Sequence, residues 1–217
     1  FLGIRPQKTL EDFFNGDESL QDIICKVNKN IHLIPSSSGL TDLKSIDVYK
    51  RKMLMDEVSM LNNTYDFLIV DTASGIDENV QSLNSTVQDV LVVITPEPAS
   101  MADAYALIKL LNQNRKVQRF SIVANKVLSE KEAKDIYSRI DKVAGRFLNI
   151  SLNYLGYVPL DPKLRHVADS KLVCRTRPSA ASSIALKRIA DSIVGEQEIG
   201  EINGSLQFFW NQLLNAA

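Results

Sequence analysis

Residues 65–75, YDFLIVDTASG, constrain the fold more than any other stretch of the chain. Phe67, Leu68, Ile69 and Val70 form an apolar run short enough for a strand buried on both faces. The run stops at Asp71, ahead of the small, turn-prone Thr72, Ala73, Ser74 and Gly75. In open parallel sheets, ligands bind just outside the carboxyl ends of the strands. An acid at such an end can reach a Mg²⁺ or its water shell, and a glycine soon after it lets backbone N–H approach a phosphate. An Asp that merely caps the next helix explains Asp71 equally well.

The rest of the chain repeats the alternation of strand-like and helix-like segments expected of a parallel sheet covered by helices. Thr9 with Asp12, and Ser19 with Asp22, have capping-box spacing and open two short helices. Residues 31–34 (IHLI) read as a short strand stopped by Pro35 and three serines. From Thr41 a long helix is expected, with Leu43, Ile46, Leu54, Val58 and Leu61 at near-helical spacing. Further strands fall at 90–94, 120–124 and 153–158, each followed by a helix, at 100–112, 130–146 and 179–194. A helix at 78–85 follows the Asp71 strand. With no internal repeat or low-complexity tract, residues 1–194 read as one domain, 195–204 as a linker and 205–217 as a terminal amphipathic helix.

Composition narrows the classes. A chain of 217 residues that is 45% hydrophobic can bury one large α/β core, and a net charge of −1 argues against a general nucleic-acid binder. Cys25 and Cys174 lack the spacing of a disulfide framework or zinc site, so a reducing cytoplasm is the expected setting. His32 and His166 are too far apart for a metal cluster and read as ordinary structural or surface residues. No G-x-x-x-x-G-K-[ST] occurs in the 217 residues, so the usual phosphate cradle is not among them.

Three strand ends then fall on one expected edge: Asp71; Thr95-Pro96-Glu97-Pro98; and Asn125 with Pro159-Leu160-Asp161. Together with TPEPASMADAYALIKLL at 95–111, FLGIRPQKTLEDFFNGDESLQDII at 1–24 and IHLIPSSSGL at 31–40, they give a chain that resembles the MinD/ParA group of P-loop ATPases. The resemblance is strongest to its FlhG/FleN branch of flagellar-number regulators. It implies a doubly wound, mostly parallel sheet flanked by helices, and ATP/ADP with Mg²⁺ as cofactors. Asp71 then matches the acid that holds Mg²⁺ through water and serves the catalytic site. Thr72 and Gly75 fall in the segment that approaches the nucleotide, with Gly75 where backbone senses the γ-phosphate. Asn125 matches the residue that recognises adenine, its amide able to donate and accept against the ring. Pro159 and Asp161 match the loop flanking the base. Taken singly, Asn125 reads more readily as a turn residue and Asp161 as a helix cap.

Relatives in this group begin with a P-loop strand, a helix and a second strand, roughly 40–60 residues that this sequence lacks by the size of such a unit. The expectation is therefore an N-terminally incomplete domain whose 67–70 strand loses partners and exposes apolar residues, and which neither holds ATP tightly nor hydrolyses it. The resemblance also implies an ATP-dependent homodimer. Its protein partner would be a flagellar GTPase, a transcriptional activator, or a division or flagellar component. A non-hydrolysing localisation scaffold of the pilus-assembly type is the competing reading. A ParA-type partition ATPase is a third, disfavoured by the acidic balance. In the tail, Leu206, Phe209, Trp210, Leu213 and Leu214 recur at helical spacing. They suit peripheral attachment to the inner face of the cell membrane, docking onto the chain's own domain, or docking onto a partner. With Glu196, Glu198 and Glu201 but no Lys or Arg after Val194, the tail lacks electrostatic attraction to anionic lipid.

Overall fold

A computed structural model describes residues 4–36, 48–61, 64–162, 173–199 and 206–216. The chain forms two compact units: a sheet unit from Gln88 to Asn203, and a helical unit combining residues 2–87 with 204–217.

In the sheet unit, β3 (Val90–Ile94), β4 (Phe120–Val127) and β5 (Asn153–Pro159) run parallel in the order β3-β4-β5. Two helices make the crossovers, α5 (Pro98–Arg115) and α6 (Glu130–Leu148), which pack against one another. Parallel crossovers are almost always right-handed, which places successive connecting helices on the same face of the sheet. Strand alternation sends Val90, Val92 and Ile94 of β3 inward and leaves Leu91 and Val93 about half exposed. Central β4 is buried from Phe120 to Ala124. Its Val123 joins Leu155, Val158 and Ile189 in a small core built by α8 (Ala181–Ile199), which follows the short α7 (Val173–Thr176) and packs on β5.

Short-range chemistry sets the ends of these elements. Pro98 begins α5 in the first helical turn, where its missing N–H costs nothing. Ser129 caps α6 by accepting from Glu132 N at 3.2 Å. A polar chain ties the starts of the strands together: Ser121 Oγ donates to Asp89 at 2.8 Å and accepts from Asn153 Nδ2 at 3.3 Å. Tyr137 of α6 donates to the Leu152 carbonyl at 2.7 Å, and Asp141 accepts from Leu152 N at 3.0 Å. These two bonds fix the chain's entry into β5.

In the helical unit, α1 (Leu10–Asn15), α2 (Leu20–Ile23), α3 (Val48–Met60), α4 (Glu78–Ser85) and α9 (Leu206–Ala216) surround one apolar cluster. Both expected capping boxes form, the second with Asp22 N donating to Ser19 Oγ and Ser19 N donating to Asp22 Oδ2. The expected strand at 31–34 is shorter and of another kind. His32–Leu33 (β2) pairs antiparallel with Cys25–Lys26 (β1), because Asn28 turns the chain by accepting from Asn30 N and Ile31 N. His32 meets the Tyr65 hydroxyl at 2.7 Å. His166 and the start of the helix expected from Thr41 lie outside the described residues.

The largest departure concerns residues 67–70. They form no strand; Phe67 and Leu68 are 41% exposed and Ile69 is 87% exposed. Only Val70 packs against the cluster. A strand is stable only when neighbours take its N–H and C=O groups, and among the described residues no strand pairs with this one. Asp71 caps no helix either: Asp77 caps α4, accepting from Val80 N at 2.9 Å. In the sheet unit α8 continues to Ile199, into the stretch expected as linker.

Two glycines give opposite expectations. Gly156 of β5 has φ +142°, and a Cβ there would lie 3.2 Å from Ile189 Cγ1. Gly156→Ala therefore destabilises the chain by about 1–3 kcal/mol in urea unfolding. Gly145, helical with only ordinary contact around its Cβ position, gains up to about 1 kcal/mol as Ala.

Candidate functional site

The carboxyl ends of β3, β4 and β5 bring several of the sequence-predicted residues to one edge of the sheet. At the end of β3, Thr95 N donates to Ser100 Oγ at 3.1 Å, and the Thr95 hydroxyl bonds to Glu97. This closes the TPEP turn over the start of α5. At the end of β4, Asn125 is opposite Val158 in register, and Val127 is opposite Pro159. Leu160 N then donates back to the Val127 carbonyl at 2.8 Å. Asn125 and Pro159, both half-buried, are thus neighbours on adjacent strands.

Asn125 is held in place by its own backbone. Its Oδ1 accepts from Lys126 N at 2.9 Å, and Lys126 takes a left-handed φ of +57°. A carboxamide oxygen has a second lone pair, and Nδ2 carries two donors, so the side chain keeps one face able both to donate and to accept. That pattern fits the N6–H and N7 edge of adenine.

Asp161 is 8% exposed and faces inward. Its Oδ2 accepts from Ser182 Oγ at 2.8 Å and from Ser182 N at 3.4 Å, at the N-terminus of α8. A carboxylate is favoured at a helix N-terminus by the dipole and by unpaired amides. Asp161 therefore pins the Pro159–Asp161 loop to α8, a link across 21 residues that no local motif signals.

The other predicted residues belong to the helical unit. Asp71 and Gly75 are exposed, and Thr72 is half-buried. Gly75 has φ +127° with nothing within 4 Å of its Cβ position, so its backbone is open to a close approach. Among the described residues no group of three His, Cys, Asp or Glu could hold a metal ion. Asp71 would accordingly hold Mg²⁺ only through water and with oxygens supplied by a nucleotide. For the tail, Phe209, Trp210, Leu213 and Leu214 are all buried in the helical unit's core, with α9 packed on α3 and α4. The helix includes Leu206, whose side chain is outside the described residues.

Known proteins place this arrangement in context. A ParA family profile, described as an NUBPL iron-transfer P-loop NTPase, matches residues 46–194. Antiactivator FleN of Pseudomonas aeruginosa is 33% identical over 98% of this chain and 76% of its own length. Flagellum site-determining protein YlxH of Helicobacter pylori is 31% identical over 98% of the chain and 74% of its own length. Septum site-determining protein MinD of Bacillus subtilis is 26% identical over 67% of the chain and 53% of its own length. Among solved structures, a plasmid partition protein from Borrelia burgdorferi superposes with a TM-score of 0.58 at 16% identity, covering 90% of this chain and 76% of that one. No helix among the described residues is long and apolar enough to cross a membrane.

Removing the Asp161 carboxylate unpins α8. Asp161→Ala is expected to cost about 1–3 kcal/mol. It should also speed hydrogen exchange in the first turn of α8, while leaving the α1 and α2 amides unchanged.

Proposed function

This chain belongs to the ParA/MinD family of P-loop NTPases, and on that basis we propose that it forms the body of a FlhG-like, ATP-dependent switch that positions or counts a cellular assembly. The observation that carries the proposal is the meeting of Asn125 and the Pro159–Asp161 loop at the carboxyl edge of a parallel sheet. Ligands of open α/β sheets bind at such edges. Asn125 would address adenine, Pro159 would cover the base, and Asp161 would hold that wall against α8. Asp71 would hold the Mg²⁺ water shell and position the reacting phosphate, with Thr72 beside it and Gly75 offering backbone to the γ-phosphate. ATP supplies the bond whose hydrolysis separates two states of the switch. Such a device works through the difference in its contacts between those states, so slow turnover suits it.

The relatives named above bear on the assembly served. One is an antiactivator, one determines flagellum sites and one determines septum sites. A homodimer bridged by nucleotide, acting on a protein partner of the flagellar or division machinery, is the corresponding reading for this chain. Within the 217 residues, phosphate contacts would come from Gly75 and its neighbours without a glycine-rich, lysine-bearing loop. Positioning and charge stabilisation are most of what protein contributes to phosphoryl transfer. This polypeptide on its own is therefore expected to bind ATP weakly and not to turn it over.

With Mg-ATP at millimolar concentration, amide shifts are expected at Asn125, Lys126 and Leu160, with a Kd of about 1 mM or weaker. The same shifts should be absent with Mg-GTP and in Asn125→Ala. Equal responses to ATP and GTP would overturn the adenine assignment, and micromolar affinity with turnover would overturn the predicted inactivity.

Peripheral membrane attachment through α9 would require undocking. Each of its four buried apolar side chains contributes about 2 kcal/mol to the docked state. Dimerisation would supply the avidity that a single short helix lacks. Val58→Ala loosens the receiving cluster and is expected to raise sedimentation with anionic vesicles, a gain that Trp210→Glu abolishes. If Val58→Ala leaves vesicle binding at the level of the parent chain, the membrane role of this helix is rejected.

A further inference from the structure

We infer that the C-terminal half of α6 is a docking surface for a short acidic, amphipathic protein segment, independent of the nucleotide edge. The helix buries Ala133, Ile136, Ile140 and Ala144 against its own unit. Arg139, Val143 and Phe147 follow one another at i, i+4 and i+8, forming a ridge beside the buried face, with Lys142 and Arg146 on the adjacent row. Val143 is 38% exposed and Phe147 63% exposed, while Arg139, Lys142 and Arg146 are all exposed. The Arg146 guanidinium carbon stands 5.3 Å from the centroid of the Phe147 ring, so a cation and an aromatic face are presented together.

The charge around this ridge is predominantly positive. The N-terminal end of α6 is neutralised internally, with Lys134 Nζ 2.7 Å from Glu130. That contact holds the Glu130 carboxyl below its usual range and the Lys134 amine above its own. At the other end Asp141, which accepts from Leu152 N, and Asp89, which accepts from Ser121, are outnumbered by the surrounding cations. Asp135, exposed one turn before Arg139, continues the same row and is its one acid, so the cationic part of the ridge runs from Arg139 onward. The register of Ser121 with Asn153 brings the entries to β4 and β5 to the same end of the sheet. Exposed Lys116 and Arg119, in the connection before β4, therefore add to the positive charge at the end where α6 finishes. Complementing the helix dipole accounts for Arg146, in the last turn, but not for Arg139, Lys142 or the exposed ring.

Charge complementarity selects the occupant. Arginine forks match carboxylates bidentately, and a Phe–Val pair fits one or two apolar side chains of a partner helix. The ridge is about 12 Å long, the length of two to three helical turns. Two apolar side chains give a lipid surface little to hold, since interfacial helices need a full apolar face. A chain of net charge −1 likewise lacks the general attraction that non-specific nucleic-acid binding requires.

The test is selection of random peptides of about twelve residues on the full 217-residue chain, followed by fluorescence anisotropy of the winners. The winners are expected to combine several Asp or Glu with one or two Leu, Ile or Phe, and to weaken as salt rises. Affinity should fall at least about tenfold in Phe147→Ala and in the Arg139→Glu/Lys142→Glu double variant. Lys187→Glu, on the exposed face of α8, should leave it unchanged. All four positions are surface sites, and circular dichroism would verify that each variant stays folded. Winners without acidic enrichment, or binding insensitive to Phe147 and Arg139, would overturn the proposal. So would tighter Phe147-dependent association with phosphatidylglycerol vesicles or single-stranded DNA than with the peptides.

Discussion

Parallel hydrogen bonding among β3, β4 and β5 is the constraint from which the candidate site follows. Parallel strands must be joined by crossovers, and here α5 and α6 make them. Every strand therefore ends on the same edge. Thr95, Asn125 and Pro159 are separated by tens of residues along the chain and become neighbours in space only because the three strands point the same way. The same geometry gathers the helix C-termini, and their basic side chains, at the opposite edge. One topological fact thus produces both a polar mouth and a cationic end.

The helical unit obeys a different economy. Its elements are short, and α1 and α2 could not persist as isolated helices. They are held by capping boxes at their starts and by a shared cluster in which Phe13, Leu54 and Val58 meet Trp210 and Leu213. The terminal helix is thus part of the core. An apolar face that could enter a membrane serves instead as packing, and the two uses exclude one another because the same side chains are needed for both. Any membrane-bound state must compete with that packing free energy.

Much of the architecture was legible from apolar runs and turn residues. The strand at 90–94 appears with the expected bounds, and those at 120–124 and 153–158 run on by three residues and one residue. Asp12 and Asp22 predicted their capping boxes from spacing alone. Where prediction failed, the deciding partner lay far off in sequence. Phe67 to Val70 has the composition of a buried strand, yet a strand needs neighbours to take its amides, and composition cannot supply them. Of the strand expected at 31–34 only His32–Leu33 forms, and its partner is the nearby Cys25–Lys26 in an antiparallel hairpin, which the turn chemistry of Asn28 signals. Local spacing offers Asp161 as a cap for the residues just after it, whereas the helix it bonds begins twenty residues later, at Ala181.

By itself the sequence determined the periodicities, caps and breaks, together with the residue chemistry of Asp71, Asn125 and the Pro159–Asp161 loop. These are local properties, set by side-chain type and near-neighbour spacing. Tertiary structure alone decided that Asn125 and Pro159 share an edge, that Asp161 clamps α8 and that Trp210 is core. It also left Phe147 in solvent beside three cations. Each of those outcomes depends on which surfaces find partners across long loops, and burial is a property of the assembled fold rather than of any segment.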